Sequence, residues 1–165
     1  MTLDPLATKE ACASVAQDLD PAESAAWLGF LRTHAVLVRQ LDTDLLAEHN
    51  ISLSSFEVLS RLALAPGGRL RMTELAHTVF LSPSGLTRLV DRLAQDGLIE
   101  RHHCEYDGRG LYAAISAKGR SKLEAARASH LAQLRQRFLG KFSEDELRQL
   151  GAFWERVAPG GCAER

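Results

Sequence analysis

Residues 82–100 read SPSGLTRLVDRLAQDGLIE. Small residues and a proline open the stretch, a regular apolar stripe follows, and a glycine comes near its end. Leu86, Leu89, Val90 and Leu93 stand at i, i+3, i+4 and i+7, which puts them on one face of a helix and marks that face for burial. Ser84, Thr87, Arg88, Asp91, Arg92 and Gln95 occupy the opposite face. Ser82 as N-cap and Pro83 at the first helical position form a start signal, and Gly97 is a natural residue to end the helix. The helix is built to be packed along its length, yet its first turn carries almost no bulk.

The neighbouring segments supply a context. In MTELAHTV, residues 72–79, Thr73 is suited to cap a short helix with Leu75, Ala76 and Val79 inward. Two helices joined by so short a turn predict a helix-turn-helix. After Gly97 the period changes: LIERHHC (98–104) and GLYAAIS (110–116) are strand-like runs around EYDGRG, where Asp-Gly and Arg-Gly signal a hairpin. A helix-turn-helix followed at once by a β-hairpin is the order of a winged helix.

Helices are expected on both sides. Asp20, Pro21 and Glu23 start a long one whose stripe includes Leu28, Leu31, Ala35, Val38 and Leu45. Ser54 and Glu57 have capping-box spacing for a helix over 54–65, with Phe56, Leu59 and Leu62 or Ala63 inward, and APGGRLR (65–71) reads as the loop that ends it. SAKGR (116–120) leads into a helix over about 118–139. SEDE (143–146) is a capping box for a last helix with Leu147, Leu150, Phe153 or Trp154, and Val157 inward. The expected fold is mainly α with a small β-hairpin wing, a winged helix-turn-helix flanked by N- and C-terminal dimerisation helices. Its parts are a flexible arm (1–19), a dimerisation helix (20–50), a DNA-binding lobe (51–117), the C-terminal dimerisation helices (118–158) and a tail (159–165).

The bare first turn has a physical rationale in DNA binding. A helix entering the major groove brings its N-terminus close to base edges and phosphates, and large side chains there would hold it off. Ser82, Ser84 and Thr87 offer hydroxyls, Pro83 and Gly85 keep the turn slim, and the helix N-terminus favours phosphate. Arg88 lies one turn further in, within reach of guanine or phosphate, with Arg92 beyond it on the same face. Thr73 is counted with these DNA-facing residues. In the hairpin, Arg109 between two glycines suits the narrow minor groove, and Asp107 would orient its guanidinium.

Residues 67–119, GGRLRMTELAHTVFLSPSGLTRLVDRLAQDGLIERHHCEYDGRGLYAAISAKG, resemble the winged helix of MarR-type bacterial transcription regulators. The resemblance rests on SPSGLTRLVDRL, GLIER, the wing DGRG and the SAKG entry into the next helix, and extends more weakly over about 22–157. It implies a homodimer with interleaved terminal helices, two winged helices on one palindromic operator, and a small-molecule cleft between the dimer helices and the DNA-binding lobe. Departures are a turn, VFLS, without glycine and a wing with one arginine where many relatives show two. The terminal apolar stripes independently call for a two-fold partner. Trp27, Phe30, His34 and Phe56 are candidates to line the effector cleft and equally candidates for dimer core.

Composition narrows the remaining classes. The chain has 165 residues, is 45% hydrophobic and carries a net charge of −1, enough for one domain with an extension that needs a partner. Residues 1–70 hold five basic against nine acidic side chains, whereas 71–122 hold eight against six, so the helix-turn-helix and wing are the basic part. No apolar run approaches the roughly 18–20 residues of a membrane span, and the N-terminus has no secretory pattern, which reads as cytoplasmic with no membrane partner. Cys12, Cys104 and Cys162 form no CxxC pair, and strand alternation separates His103 from His102 and Cys104, so neither a metal nor another cofactor is expected. No nucleophile has a base at a recognisable spacing, which argues against an enzyme. The reading is a sequence-specific regulator, a repressor released by a small aromatic or lipophilic effector. Its alternatives are a winged-helix protein-interaction module, which the near-zero net charge favours, and a thiol-based redox sensor using Cys12 or Cys104.

Overall fold

The structure is a computed structural model that describes residues 18–79, 81–103 and 111–160. The elements run α1 (Pro21–His49), α2 (Leu53–Leu64), β1 (Arg69–Arg71), α3 (Met72–Thr78), α4 (Pro83–Gln95), β2 (Ile99–His103), β3 (Leu111–Ile115), α5 (Ala117–Arg137) and α6 (Glu144–Val157), with single 3-10 turns at Pro66–Gly68 and Leu139–Lys141. The chain divides into two compact units, Met1–Gln40 and Leu41–Arg165, with the boundary inside α1.

In the first unit, Asp20 caps α1. Its Oδ1 accepts from the N–H groups of Ala22 and Glu23 at 2.7 and 2.9 Å, while Glu23 Oε2 accepts from the Asp20 N–H at 3.0 Å. The reciprocal bonds satisfy donors that a helix start leaves open.

The second unit holds a single apolar core. Leu45, Val58, Leu59, Leu62, Leu75, Leu86, Val90 and Leu93 are its largest fully buried side chains, drawn from α1, α2, α3 and α4. The sheet contributes Ile99, Ala113 and Ile115, and α5 contributes Leu123 and Ala126. Polar ties set the C-terminal part of α1 against α2 and α5: Asp42 Oδ1 accepts from the Leu53 N–H at 2.8 Å, Arg137 donates to Asp44 Oδ2 at 2.7 Å, and His49 Nε2 lies 2.6 Å from Ser129 Oγ.

Four local expectations change. The cap of α2 is Ser52, whose Oγ accepts from the Ser55 N–H at 3.2 Å; it replaces the Ser54–Glu57 box, because Leu53 already belongs to the buried face. Thr73 does not cap α3 and lies inside its first turn; Arg71 precedes the helix, and Glu74 Oε2 accepts the Arg71 N–H at 2.9 Å. The segment read as a loop contains β1, which pairs antiparallel with β3 in the register Arg69↔Ala114, Leu70↔Ala113 and Arg71↔Tyr112. The wing is therefore a three-stranded sheet in the order β1-β3-β2. Finally, α5 begins at Ala117 behind its cap Ser116 and ends at Arg137.

Candidate nucleic-acid interface

Helix α4 begins as its sequence demands. Ser82 Oγ accepts the Gly85 N–H at 3.2 Å and Pro83 occupies the first helical position. Gly85 has a local reason to be glycine: an added Cβ would lie 3.0 Å from Ser82 Oγ and crowd the cap. Thr87 turns its hydroxyl back to the Pro83 carbonyl at 3.0 Å, the bond a threonine makes within its own helix. Ser82, Pro83, Ser84, Thr87, Arg88 and Arg92 are exposed, and Gly85 is half-buried. Thr73 is exposed on α3.

The wing is tied to this helix. Asp91, on the same flank of α4 as Arg88, forms an ion pair with Arg101 of β2. The pair sets a guanidinium against the carboxylate that stands one turn from Arg88 on α4. Strands β2 and β3 pair from Ile99↔Ile115 to His103↔Leu111. Asp107, Arg109 and Cys104 fall in 104–110 and lie outside the described residues, as do Cys12 and Cys162.

The outer face of the sheet has its own cluster, which the sequence reading missed because it placed Arg69 and Arg71 in a loop. Strand pairing sets Arg71, Tyr112 and His102 in one row. The guanidinium carbons of Arg69 and Arg71 lie 5.9 and 5.3 Å from the Tyr112 ring centre, and Arg71 Nε donates to the Tyr112 hydroxyl at 2.8 Å. His102 Nε2 is 3.2 Å from Glu100 Oε2.

The end of α4 and the start of α5 meet in one joint. Gly97, with φ 70°, closes a Schellman turn in which Leu98 N–H donates to Leu93 O at 2.9 Å and Gly97 N–H to Ala94 O at 3.0 Å. Ser116 Oγ donates to Gly97 O at 2.7 Å, Ser116 N–H to Leu98 O at 3.1 Å, and Lys118 Nζ to Asp96 O at 2.7 Å. Gly119 presses so closely on this joint that a Cβ would stand 2.0 Å from Leu98 O.

A groove of about 770 Å³ runs between α2 and α5, lined by Phe56, Ala63, Leu64, Arg120, Arg127 and His130 among others. His130 packs against Phe56 in a tilted contact with ring centres 4.5 Å apart, and its Nδ1 is buried without a hydrogen-bond partner among the described residues. Burial holds its pKa below the usual histidine value. Of the four residues proposed for the effector cleft, Phe56 lies in this groove. Trp27, Phe30 and His34 belong to the other unit and form a ladder along α1, with successive ring centres 6.1 and 6.2 Å apart. Among the described residues, no three His, Cys, Asp or Glu side chains are grouped to hold a metal ion, and no helix is long and apolar enough to cross a membrane.

A helix-turn-helix whose second helix exposes a slim N-terminal turn, followed by a sheet wing, defines a winged helix-turn-helix protein. The MarR family model matches residues 49–110. Two Bacillus subtilis (strain 168) proteins are similar to the chain. The HTH-type transcriptional repressor YetL is 28% identical over 68% of this chain and 69% of its own length. The HTH-type transcriptional repressor MdtR is 30% identical over 58% of this chain and 61% of its own length. Among solved structures, the Streptomyces coelicolor MarR family regulator Sco3205, crystallised in complex with DNA, shares 29% identity at a TM-score of 0.82, covering 86% of this chain and 89% of that one. AbsC, a MarR family regulator from the same organism, shares 28% at 0.81, covering 85% and 94%. The winged helix of the chain is thus similar to those of MarR family DNA-binding transcriptional regulators.

Proposed function

We propose that the chain is a cytoplasmic repressor that grips a palindromic operator as a homodimer and lets go when a small aromatic or lipophilic effector binds. The observation that carries the DNA-binding mode is the first turn of α4: capped from within by Ser82, free of bulk, and followed by exposed Arg88 and Arg92 on a helix whose other flank is buried. In this reading Ser82, Pro83, Ser84, Gly85, Thr87, Arg88 and Arg92 face the major groove, Thr73 a phosphate, and Arg109, oriented by Asp107, the minor groove. Repression is supported by the names of YetL and MdtR, and the operator mode by the DNA complex of Sco3205.

Two-fold pairing is supported by apolar surface that one copy leaves open. Helix α6 has no buried residue, with Phe153 48% and Val157 77% exposed, and Trp27 and Phe30 on α1 are 45% and 42% exposed. A two-fold dimer then sets half-sites about one helical turn apart. The groove at Phe56 and His130 offers a mixed apolar and cationic lining for an effector. Such a ligand releases DNA only by binding the DNA-incompetent arrangement more tightly.

The test is fluorescence anisotropy against labelled duplex from upstream of the protein's own gene and against random duplex pools, at several salt concentrations, with Arg88→Ala and Arg109→Ala alongside. Tight, salt-steep, sequence-selective binding that both substitutions weaken is expected. Absence of selective binding to every duplex, with the fold intact, would favour a protein-interaction module instead.

A further inference from the structure

The sheet face formed by Arg69, Arg71 and Tyr112 includes none of the residues that the proposed DNA-binding mode uses. Arg69 is exposed, and both arginines are packed on one aromatic ring, with the Tyr112 hydroxyl accepting from Arg71 Nε at 2.8 Å. A guanidinium stacked on tyrosine and hydrogen-bonded to its hydroxyl has given up much of its rotamer freedom before any ligand arrives. Such an arrangement lowers the ordering cost of holding an anion, which a loose surface arginine would meet in full.

Its position decides which anion. The row Arg71–Tyr112–His102 adjoins the pair His103↔Leu111, the last described before the 104–110 connection. With strands rising about 3.3 Å per residue, the two guanidinium groups stand within a few residues of the segment read as entering the minor groove. Phosphates wall both sides of that groove, whose width is about 6 Å. We propose that Arg69 and Arg71, held by Tyr112, form a second phosphate-binding row on the outer face of the wing and grip the DNA backbone beside the minor groove. Tyr112 is a positioning residue here, and neither arginine reads sequence. The inference rests on the winged helix binding duplex DNA.

The test uses the full chain and a labelled duplex selected by the wild-type protein from a random pool. Binding is followed by anisotropy across a salt series for wild type, Arg69→Gln, Arg71→Gln and Tyr112→Phe, with Arg88→Ala as the reference for a major-groove contact. Removing one arginine–phosphate interaction flattens the slope of log affinity against log salt by about 0.9, hence by about twice that per arginine substitution in a two-fold dimer. Affinity should fall equally for preferred and mutated duplexes. Tyr112→Phe keeps both charges and the ring, so it should weaken binding a few-fold while leaving the slope unchanged, an outcome that a misfolded wing would not produce. Unchanged slopes for both arginine variants, with Arg88→Ala still weakening binding, would overturn the phosphate row alone. A changed sequence preference would place the arginines on base edges and overturn it as well. Failure of the wild-type protein to enrich any duplex would remove this inference together with the DNA-binding mode on which it rests.

Discussion

Arg101 on the wing and Asp91 on α4 form an ion pair that bridges the two elements of the winged helix from opposite sides of the Gly97 turn. Both side chains are more than a third exposed, so the pair contributes less than about 1 kcal/mol to stability. Its weight falls on geometry and on the charge of the α4 face. Asp91→Ala or Arg101→Ala is expected to leave the thermal midpoint nearly unchanged while lowering operator affinity by about tenfold, the equivalent of about 1.4 kcal/mol. The charge-swapped double variant should recover part of that affinity. Equal affinities for wild type and both single variants would show that the bridge does not orient the wing.

Ser82 serves helix and interface together. Ser82→Ala removes the oxygen that accepts the Gly85 N–H and should cost about 1 kcal/mol in chemical denaturation. Ser84→Ala, at an exposed position whose hydroxyl makes only a long 3.4 Å contact with Ser82 Oγ, should cost far less stability while weakening DNA binding. Comparison of denaturation curves with anisotropy separates the two roles.

Gly119→Ala would force a methyl group to within 2.0 Å of Leu98 O and 3.0 Å of Ile115 Cγ1. The clash with Leu98 is with backbone, which cannot swing aside. The variant should lose about 1–3 kcal/mol in denaturant unfolding, the usual range for overpacking. An unaltered midpoint would mean that α5 can slide along the sheet.

His130 makes stability depend on pH. Burial lowers its pKa below 6.5, so in mildly acidic solution the unfolded chain binds more protons than the folded one and stability falls as pH drops. Asp44 and Glu48 line the same small cleft as His130, and the lowering comes from desolvation by burial. Burial raises the Glu57 pKa, which works in the opposite sense at lower pH, so the informative quantity is wild type minus His130→Gln. That difference should change steadily from about pH 7 to about pH 5, the wild type losing stability relative to the variant as the solution becomes more acidic. A constant difference would show that the ring titrates equally in both states.

Phe153 and Val157 stand on the outer flank of α6 at 48% and 77% exposure. Replacing both with aspartate adds charge where a second copy is proposed to pack. Sedimentation velocity should then show monomers, and operator affinity should collapse because one winged helix engages one half-site. Dimers persisting in the variant would move the two-fold contact elsewhere.

The helix-turn-helix was legible because its signals are local: Ser82, Pro83 and the four apolar positions of α4 lie within a dozen residues, and Gly97 closes them. Strand β1 was not. Arg-Leu-Arg is too short to display a period of two, and it follows Pro66, Gly67 and Gly68, so only its pairing with β3, more than forty residues away, makes it a strand. Ser52 and Ser54 have equal chemical claims as caps, and the burial of Leu53 decides between them. Thr73 has no capping role because the backbone of Arg71 already bonds Glu74. The apolar stripe of α6 was visible, but among the described residues none of it is buried, and Phe153 and Val157, expected inward, are exposed. The stack on Tyr112 depends on register across three strands, which no single segment announces.

The joint of Asp96, Gly97 and Leu98 with Ser116 and Lys118 fixes the tail of α4 to the head of α5 through three hydrogen bonds, with Gly119 wedged against the Leu98 carbonyl. The two helices thus behave as arms of one bracket. If the joint moves as a unit, a tilt of the 21-residue α5 would be carried to the first turn of α4 and enlarged in proportion to the lever length. In the proposed dimer, which would read DNA by the separation of two such turns, this bracket would act as the calliper without a flexible relay.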